Sequence, residues 1–409
     1  MVMAGTGCDS GRSGSHANTV RDSSGVTIVE SVSPSWGRSA AWRIDTSSIV
    51  RIGEGEPIER MPVDPVSVFR TPAGEIVVAD GNQAGWHNVL VYDAQGRWLR
   101  TLGRKGEGPC EFGQVWWAAP YIADSVAVFD MSRNMVHVLG SDGGCGESVR
   151  VPRQLEGRQP QPGGFTNMAY AVYPDGTFLM APQGAVANPD AAGPTFFTQD
   201  LIRVDRTGTI RHVLGPFDIG SIYWDGRMAS SLRFGPIADR VLDGLDLVYG
   251  SGRAYEIQRF DSAGRLTRVV RRRVDPDRVT RSDQERLLSR SYVGGGGEHG
   301  GRPISERSLD ERIRQSHWAE FKPFYRTILI DSRRNMWVET FRVSGQGFDI
   351  LEDENAGWSV FDPAGTWLGD VSVPPRFFLK TIYDDAVFGV WQDANGVTTV
   401  RSYRLVKPD

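Results

Sequence analysis

The sequence predicts an all-β fold, and three observations predict it. Apolar and polar residues alternate over strand lengths along most of the chain. Short glycine turns join the alternating stretches into hairpins. The hairpins are of two kinds, and the two kinds follow one another in order. The first kind comprises "VFRTPAGEIVVAD" (68–80), "APYIADSVAVFD" (119–130), "AYAVYPDGTFLMA" (169–181), "ADRVLDGLDLVYG" (238–250), "TILIDSRRNMWVE" (327–339) and "LKTIYDDAVFGVW" (379–391). The second comprises "VLVYDAQGRWLRTLG" (89–103), "IRVDRTGTIRHVLG" (202–215), "IQRFDSAGRLTRVV" (257–270) and "WSVFDPAGTWLGDV" (358–371), with "MVHVLGSDGGCGESVRV" (135–151) a looser version.

One hairpin of each kind makes a four-stranded antiparallel meander. Six such units of about 40–50 residues follow one another, and a lone sheet of this kind cannot bury its own faces. Stacking each on its neighbours gives a six-bladed β-propeller. The sixth unit ends with its third strand, "TTVRSYRLV" (398–406), while "SSIVRIG" (47–53) is a fourth strand with no three before it. The N-terminal strand is therefore expected to complete the last blade and close the ring without an exposed edge. The expected organisation is a tether over 1–24, a propeller over 25–409, and a helical insertion over 274–323 between blades 4 and 5. There "RSDQERLLSRSY" (281–292) predicts a helix with a Ser N-cap and Glu285 in a capping box. "SERSLDERIRQSHWAEF" (305–321) predicts a second helix after the glycine run "VGGGGEHGGRP" (293–303).

The stretch "TLGRKGEGPCEF" (101–112) has the glycines of a phosphate-cradling loop, but no helical period follows it. Its echo in "SSIVRIGEGEP" (47–57) marks it as a connector between blades. Composition excludes further classes. Lys and Arg number 46 against 50 Asp and Glu, a formal net charge of −4, which argues against a nucleic-acid partner. No apolar run reaches the roughly 18 residues of a membrane span. The basic "RVVRRRVDPDR" (268–278) begins as an outermost strand, where arginines guard an exposed edge.

Residues 74–112, with "VVAD", "VLVYDAQGRWLRTLG" and the closing "GPCEF", resemble an NHL repeat, with an insertion at 84–87 and Cys110 in place of a usual glycine. Residues of about 25–408 are similar to six-bladed propeller proteins of GC-rich bacteria that are lipoproteins of unknown function. "VRDSSGVTIVE" (20–30), "YEIQRFDSAGRL" (255–266), "NMWVETF" (335–341) and "WSVFDPAGTWLG" (358–369) carry the likeness. It implies the fold, and either a binding role or, as in related rings, lactone hydrolysis or lyase chemistry.

"MVMAGTGC" (1–8) and the polar stretch after it resemble a lipoprotein cleavage box with its tether, although a charged n-region and a long apolar run are missing. The expectation is an exported protein, periplasmic or at the cell surface, lipidated on Cys8 and attached to a membrane only through that anchor. Cys110 and Cys145 then remain as a pair. The first lies in a crossover between blades and the second in a hairpin turn, on opposite faces of the disc, so no disulfide is expected.

The turns are short, whereas the long segments all fall on the crossover face: 81–88, 104–113, 183–199, 216–231, 274–323 and 344–356. Loops elaborated on one face of a rigid ring are where binding residues concentrate. Candidate ligand-binding residues are Trp86, His87, Arg104, Lys105, Tyr223, Trp224, Arg227, His317, Trp318 and Glu320. Aromatic rings beside polar groups suit a protein, peptide or glycan ligand. Trp116 and Trp117, on an inner strand, are read as packing residues. His317 and Glu320 share a helix face at i, i+3, but two residues do not make a metal site. A lactonase-like enzyme at the mouth of the central channel is the alternative, and it would hold calcium on convergent carboxylates. The second strands end in Asp80, Asp130, Pro182, Gly250, Glu339 and Gln392, which is no ring of carboxylates, so no cofactor is implied.

Overall fold

The computed structural model describes residues 18–37, 41–81, 87–108, 110–153, 167–182, 192–289, 306–343, 355–393 and 397–408. Those residues form six sheets, one for each repeat. The first sheet shows the plan. Pro65–Arg70, Ile76–Asp80, Val89–Tyr92 and Trp98–Lys105 pair antiparallel in chain order. The turns between them are closed by aspartates, the physical content of the Asp-Gly repeat. Asp93 Oδ1 accepts the Gln95 and Arg97 N–H groups, and Asp205 and Asp261 do the same in the third and fourth sheets.

The first strands of the other sheets are Val115–Pro120, Met168–Val172, Asp239–Asp243, Tyr325–Ile330 and Phe377–Ile382. They form the inner edge of the molecule, because first strands of neighbouring sheets touch. Polar bridges run between them. Ser67 Oγ accepts Ala118 N–H at 3.0 Å, Trp117 Nε1 donates to Ala169 O at 2.6 Å, and Thr381 Oγ1 donates to Val68 O. A separate apolar cluster fills each space between neighbouring sheets, including that between the sixth and the first, where Phe388 and Val400 meet Val68 and Leu90. Both faces of a second strand are thus covered, which is why Ile76–Asp80 and Val126–Asp130 are buried at every position. Each such side chain adds about 1.5–3 kcal/mol of burial.

In the sixth sheet Thr398–Val406 pairs antiparallel with Arg43–Ile52. Other segments depart from expectation. Thr19–Ser23 and Val26–Ser31 form a hairpin that lies on the fourth sheet, with Val26–Ser31 parallel to Leu266–Arg272. The arginine-rich strand is therefore covered, not an exposed edge. The stretches expected as the loops 183–199 and 216–231 include a long hairpin, Gly193–Val204 with Ile210–Trp224, interrupted by three register shifts, whose far half projects beyond the sheet on the crossover side. Ala229–Arg233 folds back along it and takes His317–Trp318 as a parallel neighbour.

The insertion holds two helices, α1 (Arg281–Ser289) and α2 (Glu306–Gln315). The capping box of α1 sits two residues earlier than expected: Thr280 Oγ1 accepts Asp283 N–H, and Asp283 Oδ2 accepts Thr280 N–H at 2.9 Å. The second helix stops before His317, so His317 and Glu320 do not share a helix face.

The two cysteines are also joined, contrary to expectation, with their Cα atoms 5.5 Å apart. The connector does not stay on the crossover face. It turns back after Lys105 and rises again as Glu111–Phe112, parallel to Arg104 and Lys105. This dip carries Cys110 down beside Gly103, to the level that Cys145 reaches at the start of its strand.

Candidate functional site

The crossover end of the molecule is where second strands finish and inner strands begin. Its framework is built from strand-end carboxylates. Asp80 accepts N–H bonds from Val63 and Asp64, both at 2.7 Å, and Asp130 accepts them from Gly113 and Gln114 at 2.7 and 3.0 Å. Each carboxylate fixes the entry to its own inner strand. Gly250 occupies the corresponding position of the fourth sheet and leaves room for Tyr325, whose hydroxyl would lie 2.0 Å from an added Cβ. These strand ends are therefore structural. Among the described residues no three His, Cys, Asp or Glu side chains gather as metal ligands.

The inner strands supply what the strand ends do not. Five of the six carry a β-bulge: at Val66, Trp116 and Arg326–Thr327 beside the crossover end, and at Tyr170 and Lys380 in mid-strand. A bulge takes one residue out of the ladder and re-aims its side chain. Val66 packs beneath Gly81. Trp116, expected as packing, is 47% exposed. Tyr170 donates to Gln199 Oε1 at 2.7 Å, and the Arg240 guanidinium of the regular fourth inner strand lies 3.9 Å above its ring. Thr327 Oγ1 and Ile328 N–H donate to Asp239 Oδ2, leaving Arg326 as the free cation of its bulge. Burial pushes the Lys380 amine down, Asp64 opposes that shift, and Arg326 reinforces it. Burial raises Asp64 in turn, against the pull of Lys380.

Above this edge lies a cap made by the projecting hairpin and the helical insertion. Phe234, Leu287 and Val343 form its small core with Trp318 and Phe341 against them. Tyr223 and His317 stack face to face, ring centroids 3.6 Å apart and planes 5° from parallel. Trp318 Nε1 donates to Ile313 O at 3.0 Å. Arg233 belongs to the same cap; burial lowers it, and so does Arg312 on α2.

The structure gathers Tyr223, Trp224, His317 and Trp318 in this cap, with Arg227 exposed at the hairpin tip. The other expected residues are elsewhere. His87 is buried beside the first two sheets, its Nδ1 without a hydrogen bond among the described residues; burial lowers its pKa, with Lys105 adding to this and Asp130 opposing. Arg104 pairs with Glu111 at 3.1 Å, and Lys105 is exposed. Glu320 pairs with Arg278 at 2.8 Å on the surface. Trp86 and Cys8 lie outside the described residues. Trp116, Tyr170, Arg240, Arg326 and Lys380 escaped the search for long loops. Their signal was a charged or bulky residue interrupting an inner strand, as in "FFLKTI" and "YRTILI".

No family model matches the chain, and no curated protein matches it. Solved structures do. A Bacteroides vulgatus member of the DUF4221 family is 12% identical, with 88% of this chain and 96% of that one covered at a TM-score of 0.51. A Bacteroides fragilis protein, described as a presumed exported protein, is 10% identical, with 93% and 99% covered at a TM-score of 0.50. At such identities the likeness shows the fold alone: a mostly-β, propeller-like arrangement of several sheets. Among the described residues no helix is long and apolar enough to cross a membrane.

Proposed function

We propose that this is a six-bladed propeller with NHL-like blades, closed by Arg43–Ile52, which binds a ligand at its crossover end. The observation that carries the reading is the set of inner-strand bulges. Four of them take Trp116, Tyr170, Arg326 and Lys380 out of the ladders of the inner strands, below a cap with an aromatic stack. Bulges beside a ring axis re-aim side chains for use. An aromatic surface with a few convergent polar groups suits a small molecule, or the end of a peptide or glycan.

Export fits the same reading. A bridge between Cys110 and Cys145 belongs to an oxidising compartment, and the N-terminal stretch ending in Cys8 supplies the lipid anchor. The ligand reading is tested by thermal-shift screening of peptide, glycan and small-molecule panels on the wild type, Trp116→Ala and Tyr223→Ala. Stabilisation that disappears in Trp116→Ala supports it. Ligands whose stabilisation is unchanged in both variants would count against a site at the crossover end.

A further inference from the structure

Buried charges are normally paired, and most arginines here obey that rule: Arg259, for example, faces both Asp243 and Asp246. Five partly buried cations at the crossover end do not. Arg233, Arg240, Arg312, Arg326 and Lys380 have no carboxylate at ion-pair distance among the described residues. Three guanidinium nitrogens are buried without a hydrogen-bond acceptor among the described residues; two of them, Arg240 Nη1 and Arg312 Nη1, belong to this group, and the third is Arg268 Nε. Cations also face each other: Arg233 is opposed by Arg312, and Lys380 by Arg326. This concentration occurs in a chain whose formal net charge is −4.

Resting on the reading of this end as a ligand site, we infer that its ligand is a small anion carrying a carboxylate or phosphate, held either by the Arg312–Arg233 pair in the cap or by the Lys380–Arg326 pair at the inner edge. A carboxylate or phosphate presents several acceptor oxygens to forked guanidinium donors, and its charge removes the repulsion between them. A neutral ligand could accept hydrogen bonds from the same nitrogens but would leave the repulsion between the cations in place. The exposed Trp116 ring, on the second inner strand, offers an apolar face at the same end, so an anion with a planar apolar part fits best.

Calorimetry and thermal shift at low salt, with benzoate, inorganic phosphate and the neutral benzamide, test this on the wild type, Arg312→Gln and Lys380→Gln. The expected result is that benzoate or phosphate binds, benzamide does not, and at least one substitution weakens the anion tenfold or more. Arg312→Gln should also raise the melting temperature of the ligand-free protein, since it relieves the repulsion with Arg233; Lys380→Gln gives up the attraction of Asp64 as well, and a cooperative thermal transition shows that it folds. Benzamide binding as tightly as benzoate, no response to either anion, or anion affinity unchanged in both variants would each overturn the inference. Neutral-ligand binding that is lost in Trp116→Ala and indifferent to both cation variants would overturn the anion while leaving the ligand site standing.

Discussion

Asp80 and Asp130 end equivalent strands of neighbouring sheets and hold equivalent pairs of backbone N–H groups, yet they titrate in opposite directions. Burial pushes Asp80 up to about 7, despite the Val63 and Asp64 N–H bonds. Burial raises Asp130 too, but Gly113, Ser132, Gln114 and Arg133 together hold it below the ordinary value of 3.8. The Ser132 hydroxyl, 2.7 Å from Oδ1, and Arg133, 3.6 Å from Oδ2, have no counterpart at Asp80 among the described residues.

Opposite pH dependences follow from linkage. With its folded pKa above the unfolded one, Asp80 contributes stability below pH 4 that is lost as pH rises towards 7. Asp130 contributes stability above pH 4 that is lost on acidification. Urea denaturation should show Asp80→Asn costing less at pH 8 than at pH 4.5, and Asp130→Asn costing more at pH 7 than at pH 3. The same slope in both variants would contradict the assignment.

The Cys110–Cys145 bridge closes a loop between positions 35 residues apart. Cys110→Ser with Cys145→Ser should lower stability by about 2–4 kcal/mol in the chain-entropy view. Denaturation of the wild type with and without reductant should give the same difference. Thiol titration of the unfolded, unreduced wild type should find neither residue free.

The hairpin over Thr19–Ser31 does more than lengthen a sheet. It covers Leu266–Arg272, and buried Ser31 accepts Trp367 N–H on its Oγ while its carbonyl accepts Arg273 N–H. A chain beginning at Val32 should be less stable and should self-associate through the uncovered strand. Size-exclusion chromatography with light scattering checks this; a monomer of unchanged melting temperature would refute it.

Thr280, not Ser282, is the cap of α1. Thr280→Ala should cost about 1 kcal/mol, and Ser282→Ala should fall within a few tenths of zero. Chemical denaturation of the two variants side by side separates these positions.

The sheets were legible in the sequence because alternation and the Asp-Gly turn are local. Asp93, Asp205 and Asp261 announce their hairpins through bonds to residues two and four positions on. What was missed is non-local or out of register. Cys110 reaches Cys145 only because the connector dips beside Gly103. Leu266–Arg272 loses its exposed edge to residues some 240 positions earlier. Lys380 and Arg326 sit in bulges, which appear in the sequence only as a break in alternation. Tyr223 and His317 were both named as candidates, but only the folding back of Ala229–Arg233 made them neighbours.

The pairing of Arg43–Ile52 with Thr398–Val406 also sets a timetable for synthesis. The early strand leaves the ribosome roughly 350 residues before its partner, an interval of about 20–70 s at the usual 5–20 residues per second. During that wait Ile44, Ile49 and Ile52 have no final place to go. The Arg43, Asp45, Ser47 and Arg51 side chains that alternate with them keep the waiting segment soluble. The strand synthesised early is thus built to tolerate solitude until the last sheet arrives to receive it.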